Sequence, residues 1–267
     1  MKIKFYFPEL FHQSKKDGIA KSIFKMMEKT GDIKYAGYLN KKNFYRNLSS
    51  NMGIPKEKDF YKSIDIKKKT EIKNIIQKTI SRCYRELPHP QTPIFIFVFP
   101  WFPTKKSLKI FRGAFGTAPY VQTLHLFINP ENLEKKALKE LLAHEYNHLV
   151  FYYYHPKKEY TLLEHIVIEG LAENFREEIM GGKPAPWSLV ISNRETGSQL
   201  KKIGNLLKTK SLKVYKEVFF GSQKYKKWTG YSLGYQLIKE FRKNHPRISW
   251  QEIIRMKARD FLKNKGV

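Results

Sequence analysis

The run His144-Glu145-Tyr146-Asn147-His148 constrains this chain more than any other five residues in it. Residues four apart on an α-helix lie one turn above each other, so a helix here stacks two imidazoles on one face and sets a carboxylate beside them. Two imidazoles suit a zinc ion that keeps an open position for water, and the adjacent carboxylate can take that water's proton and pass it on. The fold must then supply a helix at this point, burial for its other faces, and one further ligand from elsewhere in the chain.

The flanking residues agree with a helix. Asn129-Pro130-Glu131 reads as its start, with Asn129 as the cap, Pro130 at the first helical position and an acidic residue following. Leu133, Ala137, Leu138, Leu141, Leu142 and Leu149 recur at three- and four-residue spacing, while Lys135, Lys136, Lys139 and Glu140 are placed towards solvent. The plain alternative is an amphipathic helix that carries two histidines and no metal.

A third ligand is sought downstream. Thr161 reads as the cap of a second helix running to about Met180 and ended by Gly181-Gly182, and on it His165, Glu169 and Glu173 share one face. Glu169 lies 21 residues beyond His148, an interval that fits a helix, a loop and a returning helix. The run Ile168-Glu169-Gly170-Leu171-Ala172-Glu173 resembles the NEGFAE run of M1-type aminopeptidases within the gluzincins, the clan of thermolysin-like zinc peptidases. The resemblance implies that Glu169 is the third metal ligand and that Glu173 holds a ligand histidine by its other ring nitrogen. The metzincin pattern is not met, because Phe151 and Tyr154 stand where that class needs Gly and His. His155 reads as a loop residue before Pro156, His165 as a partly buried structural histidine, and Glu164 as a solvated helix charge.

Hydrolysis through a metal also needs a donor to the oxyanion. Trp228 to Leu237 reads as a loop entering a helix, and Tyr231-Ser232-Leu233-Gly234 is similar to the YxKG run that carries the catalytic tyrosine of M1-type enzymes, with Leu233 in place of its Lys. Tyr231 is the first choice for the donor and Tyr235 the second. Among 16 tyrosines, a packing role is the plain alternative.

Ahead of the metal helix, Pro93 to Phe99 reads as a strand, Gly113 to Ala118 as a Gly-rich segment, and Val121 to Ile128 as a second strand. The Gly-rich segment and the strand after it are the expected sheet edge for an added substrate strand, with an ordinary hairpin connection as the alternative. M1 aminopeptidases anchor the substrate amine with a Glu in a GxMEN run, and Gly113 to Pro119 contains no acidic residue, so endopeptidase and aminopeptidase modes both stay open. Together the strands, HEYNH, EGLAE and the late tyrosine–glycine run resemble the bacterial family of predicted zinc-dependent proteases of YjaZ type, over roughly residues 90 to 245. Membership implies a cytoplasmic hydrolase.

Length and composition bound the rest. A chain of 267 residues can bury one large core or two smaller ones. Helices are expected over residues 15–30 and 65–87, a connecting loop over 49–62, and a final helix opened by the capping box Ser249-Trp250-Gln251-Glu252. The single cysteine, Cys83, excludes an intrachain disulfide and a cysteine-rich metal site, and suits a reducing compartment. Residues 1–10 carry no secretory leader pattern, and Ile94 to Phe99 is too short to span a bilayer, so a cytoplasmic location is expected. The formal charge of +27 attracts nucleic acid or an anionic surface, but only 10 of the 51 basic residues are Arg and no nucleic-acid motif accompanies them. Lys67-Lys68-Lys69 and the Lys224 to Lys227 cluster read as solvated faces.

The resulting expectation is an α+β chain of thermolysin/gluzincin-like zincin architecture, a small sheet packed on the HExxH helix with a mainly helical remainder. Residues 1–90 form an N-terminal helical part and 91–267 the catalytic domain, unless the two are one continuous unit. The expected activity is that of a zinc peptidase acting on peptide or protein. It carries one Zn2+ per chain on His144, His148 and Glu169, with Glu145 as general base, Glu173 orienting a ligand and Tyr231 donating to the oxyanion. The alternative is a basic protein that binds nucleic acid or a membrane surface on an inactive scaffold of this kind.

Overall fold

The computed structural model describes residues 1–7, 25, 64–157 and 159–262. The helix expected over 15–30, apart from the helical Lys25, and the loop over 49–62 lie outside the described residues. The chain forms two compact units, one of Met1–Arg85 with His89–Leu149, the other of Glu86–Pro88 with Val150–Val267.

In the first unit, β1 (Ile3–Tyr6), β2 (Ile94–Pro100), β3 (Ala114–Tyr120) and β4 (Thr123–Ile128) form a mixed sheet in the order β1-β2-β4-β3. β1, β2 and β4 are parallel, while β3 and β4 form an antiparallel pair with an irregularity between Thr117 and Tyr120. The Gly-rich segment is therefore itself one of the two edge strands of the described sheet, and the strand after it, β4, is hydrogen-bonded on both sides. Every residue of β2 and β4 is buried, which explains their near-continuous apolar sequence.

The two faces of this sheet differ. On one, Tyr6, Phe97, Phe99, Phe127 and Phe115 stack or tilt against one another, and the His125 ring meets the Phe97 and Phe99 rings edge-on at 5.4 and 5.7 Å. The other is mainly aliphatic. There Gly116, in register with Leu126 and Val98, brings the sheet so close to the metal-motif helix that a β-carbon would lie 3.3 Å from Leu141 Cδ2.

Helix α1 (Ile66–Glu86) buries Ile72, Ile75, Ile76, Thr79, Ile80 and Cys83; of the stripe its periodicity suggests, Ile66 at the helix start is 81 % exposed and Tyr84 half-buried. Burial pushes the Cys83 thiol up to about 12, so it is an inert apolar group. The short α2 (Lys105–Phe111) is capped by Thr104 and ends at Arg112 in the left-handed region.

Helix α3 (Lys135–Tyr154) carries the HExxH run. It starts later than Asn129-Pro130-Glu131 suggests. The Asn129 side-chain oxygen accepts from the backbone N–H of Glu131 (3.0 Å) and Asn132 (2.8 Å), which closes a tight turn, while the backbone N–H groups of Asn129 and Glu134 donate to the carbonyls of Gly113 and Arg112. An Asx turn thus took the place of a helix cap, because the chain here is tied to the segment after α2. Arg112 fastens the helix itself through an ion pair with the buried Glu140, a residue expected to face solvent.

The second unit is helical among the described residues, with α4 (Leu162–Met180), α5 (Asn193–Ile203), α6 (Leu212–Phe220), α7 (Thr229–Asn244) and α8 (Trp250–Ile253). Thr161 caps α4 through a full capping box with Glu164, and Ser249 does the same for α8 with Glu252. Glu164 is therefore more than a solvated charge, since its carboxylate accepts from Thr161 and pairs with Lys157. Asn174 joins α4 to α7 by donating to the carbonyls of Gly170 (2.8 Å) and Tyr235 (3.0 Å).

Candidate metal centre

On α3 the two imidazoles come together as the spacing requires. His144 Nε2 and His148 Nε2 are 3.1 Å apart, with the rings nearly perpendicular at 88°. One donor atom from each of His144, Glu145 and His148 falls within 4.8 Å of the others. Glu145 and His148 are each 6 % exposed, while His144 is half-buried, so the group is shielded yet accessible from one side.

The donor separation tests whether the residues fit a zinc ion. Two imidazole nitrogens at the usual zinc–nitrogen distance and a tetrahedral angle stand about 3.3 Å apart. The observed 3.1 Å lies within a few tenths of an ångström of that, so the two nitrogens stand at a separation one ion can take up. The intervening residues anchor the helix instead. Tyr146 is wholly buried on the opposite face, where desolvation drives its hydroxyl pKa upward, with the nearby Cys83 adding to the effect.

The remaining expected site residues lie in the second unit, on α4 and α7. Glu169 is half-buried, and its charge reaches two half-buried groups, His165 one turn before it and Tyr215 on α6. Burial holds His165 below the ordinary histidine value, with Glu169 and then Glu164 drawing it partly back. The ring of Tyr215 lies 4.6 Å from that of His165, and its hydroxyl is pushed up by burial and then by Glu169. Tyr160 and Phe219 complete an aromatic shell around His165, which makes it the packed histidine expected.

Glu173 is buried, and its Oε1 accepts from Arg176 (2.8 Å) and from the backbone N–H of Ala185 (3.0 Å). Tyr231 stands in the first turn of α7, partly exposed, with its ring edge-on to Phe219 at 5.0 Å. Tyr235 has a different task, donating to Glu177 at 2.6 Å between α7 and α4. His155 is where the loop reading put it, stacked on Phe151 and bonded at 2.8 Å to the Ile254 carbonyl.

Tyr215 escaped the sequence reading, which assigned no element between Met180 and Trp228. Signals were present there, namely the capping box Ser192-Glu195 ahead of α5 and Ser211 capping α6.

No helix among the described residues is long and apolar enough to cross a membrane. No solved structure matches the chain. A curated relative is the Uncharacterized protein YjfC of Bacillus subtilis (strain 168), 25% identical over 174 residues; the match takes in 60% of this chain and spans 58% of that protein's length. The family model described as "Predicted Zn-dependent protease (DUF2268)" matches residues 72–263, a stretch that includes the HExxH helix, Glu169 and Tyr231. The chain belongs to this family of predicted zinc-dependent proteases.

Proposed function

We propose that this protein is a zinc-dependent peptidase of gluzincin-like architecture that holds one zinc ion per chain on His144, His148 and Glu169. The observation that carries the reading is the 3.1 Å convergence of the His144 and His148 Nε2 atoms with the Glu145 carboxylate beside them. When bound, zinc supplies a Lewis acid for the scissile carbonyl and lowers the pKa of a water. Glu145 takes the proton of that attacking water as general base and returns it to the leaving amine as general acid, a double role that suits a nearly buried carboxylate. Tyr231, part-exposed at the start of α7, donates its hydroxyl to the developing oxyanion. In this reading Glu173, its own carboxylate steadied by Arg176, orients a ligand histidine.

The substrate is a peptide or protein. The edge strand β3 offers backbone groups along which an extended segment can add as a further strand, so that main-chain hydrogen bonds fix the scissile bond. A cytoplasmic location is part of the reading and accords with one buried, unreactive cysteine. Incubation of the zinc-loaded protein with a peptide library, read by mass spectrometry, tests it. Cleavage by the wild type and none by Glu145→Gln is the expected pair of results. Equal cleavage by both, or none by the zinc-loaded wild type, overturns the assignment.

A further inference from the structure

The outer face of α1 takes no part in the metal centre. Along it Lys67, Asn74, Lys78, Ser81 and Arg85 fall on one line of the helix and are all exposed, flanked by exposed Gln77 and Arg82. A trough of about 660 Å³ is lined by Met1, Gln77, Lys78, Ser81, Arg82, Tyr84 and Arg85. The acid nearest this line, Glu71, is bonded to Lys68 (3.0 Å) and Lys135 (2.6 Å), and no ion pair among the described residues involves Lys78, Arg82 or Arg85. The opposite face of α1 is fixed in the core by Ile72, Ile76 and Ile80, each fully buried, so the trough is presented on a supported helix.

We infer that this trough on α1 binds the sugar–phosphate backbone of a nucleic acid. Three features of the face favour that occupant. Lys78, Arg82 and Arg85 advance by about 6 and about 4.5 Å along the axis, so their long side chains can reach separate phosphates of one strand. The neutral side chains between them, Asn74, Gln77 and Ser81, are of the types that hydrogen-bond phosphate and sugar oxygens. Tyr84 lies in the same trough and offers a ring on which a base can stack. An anionic membrane fits less well, because a helix lying on a bilayer inserts an apolar face, and among the residues lining the trough Met1 alone is an exposed large apolar side chain. The net charge of +27 adds long-range attraction without choosing the place. This inference is independent of the zinc reading.

The test uses the full chain and a fluorescein-labelled single-stranded RNA of about 20 nucleotides, followed by anisotropy between about 50 and 200 mM KCl. The wild type binds with an affinity that falls steeply with salt. K78E/R82E/R85E weakens binding by about 100-fold or more and reduces the log–log salt slope by about two. K201E/K213E/K216E changes the net charge equally at exposed positions of other helices and keeps both affinity and slope close to wild type. Thermal melts check that both variants fold. Equal weakening by the two triple variants overturns the site. So does absence of RNA binding by the wild type, or binding to phosphatidylserine vesicles or poly-glutamate, sensitive to K78E/R82E/R85E, without RNA binding.

Discussion

Gly170 of α4 and Gly234 of α7 touch backbone to backbone. A β-carbon on Gly170 would lie 2.2 Å from the Gly234 carbonyl oxygen, and one on Gly234 would lie 2.0 Å from the Ile166 carbonyl oxygen. Neither distance can be met without moving a helix, since the obstructing atoms are backbone. The glycine of EGLAE and the second glycine of GYSLG are thus a packing device, and together they set how Glu169 and Tyr231 are carried on adjacent helices of one unit.

Gly170→Ala or Gly234→Ala is therefore expected to destabilise the fold by roughly 3 kcal/mol or more. In thermal unfolding this corresponds to a fall in midpoint of about 6–12 °C. An unchanged midpoint in either variant would mean that the helices are not in backbone contact.

On the proposed mechanism, Tyr231 and Tyr235, one turn apart, divide between function and packing. Tyr231→Phe is expected to lower kcat about 100-fold with KM and stability little changed, as for loss of one oxyanion donor. Tyr235→Phe removes the 2.6 Å hydrogen bond to Glu177 and is expected to cost roughly 1–2 kcal/mol of stability while sparing kcat. Steady-state kinetics and urea melts on the same two preparations decide it, and the opposite pattern would exchange the roles.

Several local features are legible in the sequence alone. HEYNH announced the paired imidazoles because i,i+4 spacing fixes them within a single element, and Thr161 with Glu164 or Ser249 with Glu252 announced helix starts because a capping box is local. The failures were tertiary. Asn129 has the chemistry of a cap, but Gly113 and Arg112 hold its neighbourhood in a turn. Glu140 sits at a position the helical wheel assigns to solvent, yet it is buried and pairs with the partly exposed Arg112. The meeting of Gly170 with Gly234, or of Tyr215 with His165, has no local signature, because each pair is far apart in the sequence.

His125 makes the first unit sensitive to acid. It is buried between the edges of Phe97 and Phe99, and desolvation drives its pKa down to about 3. In the unfolded chain it titrates near 6.5. Between these values the unfolded state binds the proton and the folded state does not. Its contribution is accordingly intact above about pH 6.5 and is lost as pH falls towards 3, with a slope of at most roughly 1.4 kcal/mol per pH unit. His125→Leu is expected to flatten the urea-midpoint profile in that window relative to the profile above pH 7. A wild-type slope retained in the variant would assign the acid sensitivity to other groups.

Replacement of Glu145 by Gln separates metal binding from chemistry. The two imidazoles are untouched, so zinc content is expected to stay at the wild-type level, while turnover falls by about 1,000-fold or more. Loss of zinc together with activity would make Glu145 a ligand rather than the base.

The central claim is that His144 and His148 converge on a metal ion. Zinc per chain, measured by elemental analysis after dialysis against metal-free buffer, tests it most directly, with His148→Ala beside the wild type. The account predicts about one zinc per wild-type chain and a loss of most of it in the variant. No zinc retained by the wild type and none taken up on titration, or equal zinc in both proteins, would contradict it.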